Sequence, residues 1–128
     1  MTTPENLDIL ALARGEPSAA EVEPDRTLGG YMEEHDRPPA FEGADGAPYS
    51  VDVEIEHTGD PARPYVGFLV FLRWADTGAG IMDHVESEDV SVGRTEADAR
   101  AAALELSLHD VKQALDEAID RRHRNLAD

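Results

Sequence analysis

From Thr95 onward the apolar positions Ala97, Ala101, Leu104, Leu108, Val111, Leu115 and Ala118 follow at alternating steps of four and three. That spacing places them on one stripe of a helix spanning residues 95–124. Thr95 caps the first free N–H groups with Asp98 completing a capping box, and Arg121, Arg122 and Arg124 suit the negative end of the helix dipole. Leu106, Ala99 and Ala102 fall on the opposite side, so the first half is apolar nearly all round and has two surfaces to bury. Ser107 and Asp110 form a second capping pattern that would split the helix after Leu106. The stripe keeps its phase across Ser107, which favours one helix, kinked at most.

Upstream the period changes to two. Tyr49, Val51, Val53 and Ile55 alternate with Ser50, Asp52, Glu54 and Glu56, a strand with one buried and one solvated face. Gly59, Pro61 and Pro64 then reverse the chain. Residues 65–75, YVGFLVFLRWA, are apolar on both parities. A central strand covered on both sides has that pattern, and so does one that exposes a face to a partner. DTGAG closes a hairpin. In the polar third strand, residues 81–92, Ile81 and Val85 share one parity and Val90 and Val92 the other, which predicts a bulge at Ser87 and Glu88 and an edge position.

The N-terminal pattern is weaker. Thr3 and Pro4 start a short helix that runs to Arg14 and is closed by Gly15. Residues 15–26 read as an acidic linker, partly disordered. Thr27 caps a second helix carrying Leu28, Tyr31, Met32 and His35 on one side, and Pro38-Pro39 ends it. Residues 38–41 are then extended, with Phe41 anchored in the core. The predicted architecture is α+β: a three-stranded antiparallel meander with a long C-terminal helix on one face, preceded by one or two short helices. Residues 27–128 form a single domain after an N-terminal helix and linker over residues 1–26.

Composition changes this picture in one respect, charge. The 128 residues carry 28 Asp and Glu against 11 Lys and Arg, a formal net charge of −17, and Lys112 is the sole lysine. Such a surface repels nucleic acid and anionic membranes, so neither is an expected partner. The carboxylates are spread along the chain rather than gathered in a tail, the composition of a protein adapted to a high-salt cytoplasm, where screening removes the self-repulsion. The functional rival is an acidic mimic of nucleic acid that binds a basic protein. There is no cysteine, which excludes disulfides, thiolate metal sites and thiol catalysis. MTTPENLDILALARGEP has no basic start followed by an apolar run, and no stretch reaches the ~20 apolar residues of a membrane span, so a cytoplasmic location is expected.

The element order and the GRTEADARAAA start of the last helix resemble a double-stranded-RNA-binding domain over about half of the chain. That resemblance implies a shared topology. In that family lysines at this helix start grip phosphate, whereas here Glu96 and Asp98 occupy the turn, and only Arg94 and Arg100 are basic. RNA binding is therefore not carried over.

No phosphate loop, dinucleotide fingerprint, nucleophile elbow or HExxH motif occurs, and no cofactor is expected. His84 and Glu86, two apart on a strand, project from one face as a metal-binding pair does, and His57 is the candidate third ligand of a metal-assisted hydrolase. The simpler reading makes them solvated residues of an edge strand. The surplus apolar surface points instead to a non-catalytic domain acting through protein association, as a homodimer or with another protein. Its candidate interface residues are Tyr65, Phe68, Val70, Leu72, Trp74 and Leu106.

Overall fold

Thr27 and Thr95 both act as the helix caps their spacing predicts: Thr27 Oγ1 accepts from the Gly30 N–H and Thr95 Oγ1 from the Asp98 N–H, each at 3.0 Å. A computed structural model describes residues 7–127. Three short helices, α1 (Leu7–Ala13), α2 (Ala19–Val22) and α3 (Leu28–His35), precede four strands. The expected helix start at Thr3 and Pro4 lies outside the described residues. Gly15 follows α1 with φ of 85°, the left-handed conformation that ends a helix without a Cβ penalty.

The strands β1 (Ala40–Glu42), β2 (Pro48–His57), β3 (Tyr65–Trp74) and β4 (Ile81–Gly93) form one antiparallel sheet in the order β1-β2-β3-β4. The meander therefore has four strands rather than three. Residues 40–42 are too few to show alternation, and their pairing with residues 48–50 is created by a tight turn in which the Gly43 N–H donates to the Ala47 carbonyl at 2.9 Å. Phe41 is fully buried, as its isolated bulk suggested. The bulge lies where the parity of β4 changes: Phe68 opposes Asp89 while Val70 opposes Glu86.

The expected single C-terminal helix is two, α4 (Glu96–Leu104) and α5 (Leu108–Ala127). At the break the N–H groups of Leu108 and His109 donate to the carbonyls of Arg26 and Pro24 at 2.8 and 3.0 Å, and the Asp110 N–H donates to Ser107 Oγ at 3.1 Å. All three orphan donors of the first turn are satisfied from outside the helix. In return the Leu106 carbonyl accepts from the Leu28 N–H at 2.8 Å. A distant segment thus supplies the hydrogen bonds that a continuous helix would have made with itself. The break resets the phase of α4, so its inward residues are Ala99 and Ala103, both fully buried, while Ala97 and Ala101 face solvent. In α5 the predicted positions Leu108, Val111, Leu115 and Ala118 are buried.

Both helices pack on one side of the sheet. Val51, Val53, Leu69, Phe71 and Val85 meet Ala103, Leu108, Val111 and Leu115 in one hydrophobic cluster. Close approach is enforced at Gly93, where a Cβ would lie 2.4 Å from the Ala99 backbone nitrogen. Among the described residues no helix is long and apolar enough to cross a membrane.

Candidate functional site

Strand alternation settles what the apolar run of β3 does. Leu69 and Phe71 are fully buried under α4 and α5, as is expected of one parity of a central strand. Phe68, Val70, Leu72 and Trp74 have the other parity and none belongs to the core cluster; all four are half-buried on the face turned away from those helices. Ile81, paired with Trp74, extends the row and is 53% exposed; at the other end Val92 is 46% exposed, but its partner Val66, of the same parity as the row, is buried at 2% and closes the row there. Helix α1 packs on β1, the start of β2 and the β3–β4 turn, where a Cβ on Gly78 would touch Leu10 at 3.1 Å. It leaves the middle of β3 open.

The row has a polar anchor and acidic borders. Trp74 donates its indole N–H to Ser50 Oγ at 2.9 Å, which fixes the ring over the neighbouring strand. Leu72, Trp74, Ile81, Met32 and Pro38 line a cavity of about 330 Å³ there. On β2, the residues opposite Val70, Phe68 and Val66 are Asp52, Glu54 and Glu56, all exposed. On β4, Glu86 lies opposite Val70 and Asp89 opposite Phe68.

Four of the six interface candidates read from the sequence share this surface. Tyr65 has the helix-side parity and stacks on His57 at the far end of the sheet, ring centroids 4.9 Å apart. Leu106 sits at the α4–α5 junction, packed against the core. Of the three candidate metal ligands, His84 and Glu86 do meet, Nε2 to Oε2 at 3.6 Å. His57 is paired with Tyr65 and His84 with Leu72, so His57 is separated from them by most of the length of β3. No group of three or more His, Asp or Glu side chains that could hold a metal ion occurs among the described residues.

Two clusters of titratable groups escaped sequence reading because their members come from different elements. In the first, at the end of the sheet under α5, Asp45, Tyr49, Arg73, Asp83, Arg122 and His123 line a cavity of about 300 Å³. The Tyr49 hydroxyl donates to Asp45 Oδ2 at 2.8 Å, and burial with that carboxylate pushes the phenol pKa far up. The His84 N–H and the Arg122 guanidinium hold Asp83 below the usual carboxylate range. Arg122 lies 2.7 Å from Asp83, and Arg73 lies 3.7 Å from Asp45. In the second, Asp8, Ser18, Tyr31, His35 and Arg37 line a cavity of about 380 Å³. Asp8 and Arg37 pair at 3.2 Å, and the rings of Tyr31 and His35 lie 4.2 Å apart. Burial first, and then the Asp8 carboxylate, push the Tyr31 hydroxyl up to about 12. Ser18 and His35 both line this cavity, but among the described residues no hydrogen bond joins them, so they do not form a nucleophile–base pair. In both clusters the carboxylates neutralise arginines of the same chain, and the phenols are protonated at neutral pH. The chemistry is that of internal pairing.

Comparison with protein-family models, with curated proteins and with solved structures finds no match.

Proposed function

We propose that this chain is a cytoplasmic, non-catalytic association domain whose working surface is the open face of β3 and β4. One observation carries the reading: alternate residues over most of a single strand are divided between a closed core and a half-buried apolar row on the face away from α4 and α5, Phe68, Val70, Leu72 and Trp74. A sheet that only needed to fold would carry polar residues there, as β2 does with Ser50, Asp52, Glu54 and Glu56 on the same face. Exposing the apolar row costs solubility, and a partner that covers it recovers the burial free energy of about 25 cal/mol per Å². The net charge of −17 keeps the free protein dispersed.

The test is a photo-crosslinking residue placed at Leu72, with a control at Glu117 on the outer side of α5, in cells producing the protein. Adducts with a second copy or with another protein form from position 72 and not from position 117. Equal yields from both positions, or none from either, would remove the reading.

A further inference from the structure

Resting on that reading, we infer that the occupant of the open face is a cationic amphipathic segment of another protein, an apolar ridge bordered by lysines or arginines. The borders of the row set this requirement. Asp52, Glu54 and Glu56 stand at alternate positions of β2, facing the same side as the row, and none is in an ion pair among the described residues. Glu86 and Asp89 flank the other side, where their partners are His84 at 3.6 Å and Arg63 at 3.5 Å. Alternate strand residues are about 7 Å apart and side chains one turn apart on a helix about 5–6 Å, a difference that long lysine and arginine side chains span, so a helix laid along β3 brings flanking charges within reach of Asp52, Glu54 and Glu56.

Contacts at both sides of the sheet work against the other common mode of docking, in which a partner adds a strand. On β2 beyond β1, the Val53 N–H donates to Asp52 Oδ1 at 2.9 Å and the Val53 carbonyl accepts from Arg100 at 3.4 Å. The β4 edge repeats the device: the His84 N–H donates to Asp83 Oδ1 at 2.8 Å, and Arg122 and Arg121 donate to the carbonyls of His84 and Glu86 at 2.8 and 3.0 Å. In each case the preceding aspartate takes the outward N–H and an arginine from a helix takes the outward carbonyl. These contacts favour an approach through side chains, on the face.

A second copy is the wrong chemistry. Two such faces brought together set carboxylate rows against carboxylate rows, between chains that each carry −17. A cationic partner removes that repulsion.

The experiment uses the whole chain and two synthetic helical peptides, each with one leucine stripe, bordered in one by lysines and in the other by glutamates. Binding is followed by the emission of Trp74, the single tryptophan, and by the amide NMR signals of Phe68, Val70 and Leu72. The lysine peptide perturbs these signals and the glutamate peptide does not. The triple variant Asp52→Asn, Glu54→Gln, Glu56→Gln weakens binding by about tenfold, since three exposed charge pairs are lost. Asn at position 52 keeps an oxygen for the Val53 N–H, and circular dichroism checks that the fold is retained. A control removing three charges elsewhere, Glu96→Gln, Glu105→Gln, Glu117→Gln, leaves the affinity unchanged. Equal binding of both peptides, or equal loss in both triple variants, overturns the cationic partner. So does self-association through the same amides in dilute buffer, although the association reading then stands. If neither peptide nor rising protein concentration perturbs those amides, both readings fall.

Discussion

The backbone N–H of Leu108 donates to the carbonyl of Arg26 at 2.8 Å, so the first turn of the last helix is hydrogen-bonded to a segment from the other end of the chain. First-turn amides of a helix ordinarily exchange freely because they have no partner. The amides of Leu108 and His109 are therefore expected to exchange as slowly as those of the α5 interior. Ser107→Ala removes the acceptor of the Asp110 N–H and should cost about 1 kcal/mol, read as a lower urea midpoint. Free exchange at Leu108 would show that the junction is not held by Arg26.

The division of β3 into two faces makes a paired prediction. Leu69→Ala, at 0% exposure, should cost about 2–5 kcal/mol, as large-to-small core changes do. Leu72→Ser, three residues away on the open face, should cost less than about 1.5 kcal/mol. Equal losses in denaturant unfolding would mean that the second face is also covered.

Gly93 allows α4 to lie directly on β4. An alanine there would place its Cβ 2.4 Å from the Ala99 nitrogen and 2.9 Å from the Ala99 Cα, and backbone cannot swing aside as a flexible side chain can. Gly93→Ala should lower stability by about 1–3 kcal/mol, whereas Gly59→Ala disturbs no neighbour and is limited to the strain of its φ of 81°. Calorimetry of the two variants separates these costs.

Alkaline unfolding follows from the buried phenols. Tyr31 is raised from 10.0 to about 12, so the native state holds its proton more tightly than the unfolded chain. The stabilisation is complete below pH 10 and is lost as the pH rises through about 12, because ionisation becomes easier in the unfolded state. Tyr49 acts in the same direction. Urea midpoints should fall across this window, and less steeply in Tyr31→Phe. Identical profiles for the two proteins would assign the loss to other groups.

The arginines at the β4 edge matter more for solubility than for stability. Arg121 and Arg122 occupy the carbonyls of Glu86 and His84, and such exposed contacts contribute only about 0–1 kcal/mol each. Arg121→Ala, Arg122→Ala should therefore barely move the thermal midpoint while speeding aggregation, followed by light scattering, as the edge is opened. An unchanged aggregation rate would show that the edge is protected by other means.

Local rules, acting over a few residues, determined much of this molecule. The period-two run from Tyr49 to Ile55, the caps at Thr27 and Thr95, the inward face of α5 and the bulge in β4 each follow from side-chain spacing and cap chemistry. The candidate surface was legible in part, because an apolar run on both parities announces a two-faced strand. It could not say whether the second face was covered; that depends on where α1 packs. Tertiary structure also decided the fourth strand, whose pairing depends on the turn after Glu42, and the break between α4 and α5, whose free N–H groups are satisfied by Pro24 and Arg26. The same holds for the capped edge positions Val53 and His84 and for the two polar cavities. Contacts between residues far apart in sequence leave no periodicity to read, since each depends on the packing of elements that are individually ordinary.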